Sequence, residues 1–86
     1  MTENQDLHAK IRWECRRGML ELDYILNQFL KRGLDDFDSQ DLGSLQTFLA
    51  NQDPDLFAWF LGYDKPTDEN DIKWVAEILS RQPDAQ

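Results

Sequence analysis

The chain has one cysteine and one histidine in 86 residues, and each scarcity removes a class of protein. A single thiol, Cys15, cannot close an internal disulfide, so the staple of small secreted domains is missing and a reducing compartment is expected. Zinc sites of the common Cys/His types need four such ligands, or three beside an open position, whereas Cys15 and His8 are only two. No metal site is expected. Nor do the two form a nucleophile and its base, because seven residues of helix hold them about 10 Å apart along the axis, against the ~3 Å such a pair requires. Cys15 reads as a small buried residue.

Glycine and the strand-forming residues are also sparse. Gly18, Gly33, Gly43 and Gly62 stand alone, so there is no glycine-rich phosphate loop and no cofactor-binding residues are assigned. Valine occurs once, threonine three times, and no run alternates apolar with polar. No apolar stretch approaches the ~20 residues that span a bilayer, which excludes membrane insertion. Met1 to Lys10 carries neither the apolar stretch of a secretory signal nor the Arg/Ser bias of an organellar presequence, and a cytoplasmic bacterial protein is expected.

Positive charge is scarce overall and unevenly placed. The net charge is -8, which argues against nucleic acid as partner, since phosphate binding depends on neutralisation by Lys and Arg. Up to Leu34 there are six basic and five acidic residues; from Asp35 onward there are three basic and twelve acidic. The basic residues are therefore concentrated at one end of an acidic chain.

What is present is a set of helical stripes. At 41% hydrophobic and 30% charged, the composition is that of a soluble globular protein, and the length allows one domain over 1–86, ordered from about 4 to 82. The reading is all-α, a compact five-helix domain. The first helix is expected over Asn4 to Arg16, with Leu7, Ile11 and Cys15 on one face, until Gly18 breaks it. The second, Met19 to Arg32, places Met19, Leu22, Leu26, Phe29 and Leu30 on one stripe and stops at Gly33.

An acidic, solvated loop follows, and a third helix from Gln40 to Ala50, capped by Asp38 or Ser39, buries Leu42, Leu45, Phe48 and Leu49. Asp53 is expected as the N-cap of a fourth helix, Pro54 to Leu61, apolar nearly all round. The fifth starts near Thr67 or Asp68 and turns Ile72, Val75, Ala76 and Leu79 inward, which leaves Trp74 partly exposed, less critical to the core than Trp59. Pro83 ends the order, and Asp84 to Gln86 are expected as a loose tail.

Five short helices leave little volume for a pocket of enzyme size, and no opposed carboxylate pair is evident, so no catalytic residue is assigned. The informative segment is Trp13-Glu14-Cys15-Arg16-Arg17-Gly18-Met19-Leu20-Glu21-Leu22-Asp23. Arg17 and Glu21, four apart, have the spacing of an exposed ion pair that contributes about 0.3–0.5 kcal/mol. The alternative is a recognition surface, because Trp and Arg most often anchor protein interfaces and a glycine lets another backbone approach closely.

At these residues the chain resembles the SdhE family of flavinylation factors, also called succinate dehydrogenase assembly factors. The hallmark Arg-Gly-x-x-Glu stands here as Arg17, Gly18 and Glu21. Flanking it are Ile11-x-Trp13-x-Cys15-Arg16 and Leu22-Asp23, with a second block downstream, Asp53-Pro54-Asp55-Leu56-Phe57-x-Trp59, and then Lys65-Pro66. The likeness covers about Lys10 to Arg81, and departs from the family at Gly62-Tyr63-Asp64 and at Gly43.

The resemblance implies an assembly chaperone, not an enzyme. It would bind the flavoprotein subunit of succinate dehydrogenase or fumarate reductase and promote covalent attachment of FAD to a histidine of that subunit. FAD would be attached to the client, with none bound stably by this chain, which is expected to be a monomer. Trp13, Arg16, Arg17, Gly18, Glu21 and Asp23 would touch the client. The same family has also carried the label of antitoxin, a module that counters a membrane-associated toxin by contact.

Overall fold

The computed structural model describes residues 3–83, and the tail expected over 84–86 lies outside them. Five helices run in the order α1 (Glu3–Glu14), α2 (Leu20–Lys31), α3 (Ser39–Leu49), α4 (Asp53–Leu61) and α5 (Glu69–Ser80), with no strand among the described residues. The chain is all-α, as its periodicity implies.

Each helix is punctuated locally. Asp38 caps α3 in a reciprocal box: its carboxylate accepts the Asp41 N–H at 2.8 Å while the Asp41 carboxylate accepts the Asp38 N–H at 3.3 Å. Asp68 caps α5 by accepting the N–H groups of Asn70 and Asp71. The fourth helix begins one residue earlier than its sequence implies, with Gln52 as N-cap, which places Asp53 inside the first turn and frees its carboxylate for another partner.

The stripes of α1, α2 and α3 meet in one core. Ile11, Cys15, Leu22, Leu26, Phe29, Leu42, Leu45 and Phe48 are buried there with Leu56 and Phe60 of α4, and no polar or charged residue is buried among the described residues. The first helix packs on α3, the second on α4 and α5, and the fifth also against α3 and α4.

Trp74 overturns the expected phase of α5. It is 1% exposed, whereas Ile72 is 48% exposed and Ala76 lies on the surface. The helix is rotated so that Trp74 and Ile78 face the core. Two conditions make this favourable: the indole offers the largest apolar area on α5, and its N–H finds an acceptor, Ser44 Oγ, at 3.0 Å. Phe29 and Phe37 close on it edge-on at centroid distances of 6.4 and 5.3 Å. Trp59 is only partly buried, packed beside Phe48.

Candidate functional site

The first helix stops at Glu14, two residues short of its expected end, and residues 15–19 turn the chain into α2. Gly18 makes the turn possible, with φ +78°, in the left-handed region that other residues adopt at a cost of about 1–2 kcal/mol. A Cβ there would meet nothing within 4 Å, so the glycine serves backbone geometry, not a close contact inside the domain. At the far side of the turn the Asp23 carboxylate reaches back and accepts the Arg17 N–H at 2.8 Å.

The Arg17 side chain goes inward. Its Nε donates to Asp53 Oδ1 at 2.7 Å, Nη1 to the carbonyls of Glu14 and Leu49 at 3.0 and 2.8 Å, and Nη2 to the Asn51 carbonyl at 2.9 Å. Glu14 and Leu49 are the last residues of α1 and α3, so one cation sits against two negative helix ends and a carboxylate in the first turn of α4. Arg17 is thus the fastener of the corner, 16% exposed, and the exposed Arg17–Glu21 pair anticipated from their spacing is replaced by this network. A second tie runs alongside, from Gln46 Nε2 to Glu14 Oε1 at 3.2 Å.

The outer surface of the corner holds the remaining candidates. Trp13 is 70% exposed, Arg16 lies over its ring at 5.6 Å, and Gly18 and Glu21 are exposed. Leu20, at 81% exposure, was not among the sequence candidates. The structure therefore separates the six residues: Trp13, Arg16, Gly18 and Glu21 face outward, while Arg17 and Asp23 hold the turn from within.

Beside the corner, between α1 and α2, lies an open groove of about 750 Å³. That volume is larger than five short helices led us to expect. Buried Cys15 and Leu30 contribute to its lining, with Arg12, Arg16, Tyr24 and Lys31 among the more exposed residues. The Cys15 thiol is pushed up to about 12, chiefly by burial, so it stays protonated and unreactive at neutral pH. His8 is remote from this chemistry: its Nδ1 lies 4.0 Å from Asp35 Oδ1. Among the described residues there is no cluster of His, Cys, Asp or Glu that could hold a metal, and no helix long and apolar enough to cross a membrane.

Sequence reasoning missed Asp53 as the partner of Arg17, and also Arg12, Tyr24 and Lys31. The spacing of Arg12 to Arg16 and of Leu20 to Tyr24, four in each case, was the available signal for Arg12 and Tyr24, and neither spacing reaches Lys31. Nothing in the sequence announces the Arg17 bonds, because three of the four acceptors are backbone carbonyls.

Residues 9–82 match the model of a family described as the flavinator of succinate dehydrogenase, Sdh5. The chain is 39% identical over 72 residues to the FAD assembly factor SdhE of Idiomarina loihiensis, an alignment covering 84% of this chain and 80% of that protein. It is 38% identical over 79 residues to the protein of the same name from Photorhabdus laumondii, covering 92% and 90%. For the one from Photobacterium profundum the figures are 36% over 77 residues, 90% and 88%. No solved structure matches. With nearly the whole domain inside the match, and the Arg17, Gly18, Glu21 corner within it, the chain belongs to the family of succinate dehydrogenase flavinators.

Proposed function

We propose that this protein is an assembly chaperone that binds the flavoprotein subunit of succinate dehydrogenase, or of fumarate reductase, and promotes covalent attachment of FAD to it. The observation that carries the reading is the corner itself: Trp13, Arg16 and Leu20 stand exposed on a turn that Arg17 fixes from beneath. A preorganised aromatic and arginine surface loses little conformational freedom on docking, which favours affinity. The names of its relatives support the assembly role.

The bond between flavin and histidine forms on the client. This chain contributes by binding the client conformation in which the two groups are aligned, so that population shift and proximity do the work. A preference of about 100-fold for that conformation, ~2.7 kcal/mol, raises it from roughly 1% to half of the client population. The chaperone acts as a monomer, and FAD stays with the client.

The test is co-expression with the flavoprotein subunit in cells lacking the native factor, scored by covalent flavin fluorescence in a denaturing gel. Trp13→Ala, Glu21→Ala and Gly18→Arg are expected to stay helical by circular dichroism and to lower flavinylation. Gly18→Asn, which tolerates the left-handed φ, separates backbone strain from blocked docking. Full flavinylation by all of these variants overturns the assignment of the corner. The relatives named above are assembly factors, so the antitoxin reading gains no support from them.

A further inference from the structure

We infer that the groove between α1 and α2 receives an extended acidic segment of the client flavoprotein, whose carboxylates pair with Arg12, Arg16 and Lys31. The inference rests on the chaperone reading above and assigns a second contact beside the corner.

Charge comes first. The groove is lined by three cations and one anion, Asp23, on a chain of net charge -8. Asp23 is already engaged by the Arg17 N–H. Among the described residues Arg12, Arg16 and Lys31 have no ion-pair partner, and Arg16 lies over the Trp13 ring. Asp23 keeps its negative charge while accepting the Arg17 N–H, so the groove carries an excess of two positive charges on an acidic domain, and this excess favours an incoming anion.

Shape selects the kind of anion. Arg12 lies in the last turn of α1, Arg16 in the turn that follows it and Lys31 at the end of α2, so the three cations reach the groove from three separate places in the chain. From Asp23 to Lys31 the groove follows α2 for about 12 Å, the length of some four extended residues. Tyr24, Asn27 and Gln28 add a hydroxyl and two amides along that path, suited to the backbone of such a segment. A row of spaced cations fits carboxylates along a peptide better than one compact pyrophosphate.

The experiment titrates the protein into the flavin-free flavoprotein subunit of the same organism's succinate dehydrogenase, in low and high salt, with charge-matched variants. Arg12→Glu and Lys31→Glu are each expected to weaken binding about 10-fold at 50 mM NaCl, and Arg12→Gln about 3-fold, with the differences shrinking at 300 mM. Lys65→Glu, an equal charge change at an exposed site beyond α4, is expected to stay within about twofold. Carbodiimide coupling should join the Lys31 amine to an Asp or Glu of the subunit. Circular dichroism checks that each variant keeps its helices.

If Arg12→Glu and Lys31→Glu bind as the wild type does, or Lys65→Glu weakens binding equally, the groove assignment falls. It also falls if FAD alone binds the isolated protein and Arg12→Glu abolishes that binding. If the wild type itself does not bind the subunit, the chaperone reading falls first and the groove with it.

Discussion

Arg17 Nε and Asp53 Oδ1 lie 2.7 Å apart although 36 residues separate them in the chain. The pair joins the corner that precedes α2 to the first turn of α4, and the same guanidinium holds the carbonyls at the ends of α1 and α3. Of the three residues Arg17, Gly18 and Glu21, the arginine therefore works inside the domain, while Gly18 and Glu21 are exposed.

Arg17→Ala should accordingly cost about 2–3 kcal/mol, because it leaves three carbonyls and a carboxylate without their donor in a partly buried place. That is well above the value of an exposed ion pair. Arg17→Lys should recover only part of it, since an ammonium cannot reproduce the planar fork. Urea midpoints decide the matter: an Arg17→Ala loss below about 0.5 kcal/mol would show that the network is idle.

Trp74→Ala should cost about 3–5 kcal/mol and Trp59→Ala distinctly less. The first removes a ring that is 1% exposed and leaves Ser44 Oγ without its indole donor; the second trims a half-buried ring. Thermal or denaturant midpoints of the two variants rank them, and equal losses would contradict the burial described above.

Stability should fall in alkali through Cys15. Burial, aided by Glu14 and Asp23 and opposed by Arg17 and Arg12, raises the folded thiol from an ordinary 9.0 to about 12. The folded state thus holds the proton longer than the unfolded state does. Its contribution is complete below pH 9 and is lost as pH rises toward 12, with a limiting slope of about 1.4 kcal/mol per pH unit. Because Tyr and Lys titrate in the same range, the measurement is the difference between wild type and Cys15→Ala in urea midpoints from pH 8 to 10.5. A pH-independent difference would refute it.

Gly43→Ala should stabilise the domain by about 0.5–1 kcal/mol. The residue lies inside α3 with ordinary helical φ, and a Cβ there meets nothing within 4 Å. A lower melting temperature in the variant would mean that the surface around Gly43 is tighter than it looks.

The helices were legible because their stripes are strong. Leu22, Leu26, Phe29, Leu42, Leu45 and Phe48 recur at helical spacing, and all are buried. The fifth helix misled because it carries two competing faces: Ile72, Val75 and Leu79 make one aliphatic line, and Trp74 with Ile78 another. Only the partner surface chooses between them, since Phe29, Phe37 and Ser44 build the indole's place from three other parts of the chain. The corner was legible as a location but not as a division of labour. Neighbouring arginines 16 and 17 look alike in sequence, yet one stacks on Trp13 in solvent and the other enters the domain, a distinction set by where the ends of α1, α3 and α4 converge.

The Arg17 bonds also impose an order on assembly. Three of the four acceptors lie 32 to 36 residues downstream, in the stretch from Leu49 to Asp53. A nascent chain that has displayed Trp13 and Arg16 but not yet Asp53 cannot fasten the turn that carries them. Loop closure of that size is costly until α3 and α4 have collapsed onto α1 and α2. The proposed docking surface is encoded upstream of Asp53 and completed only after it, so only a chain that has passed the test of folding presents it.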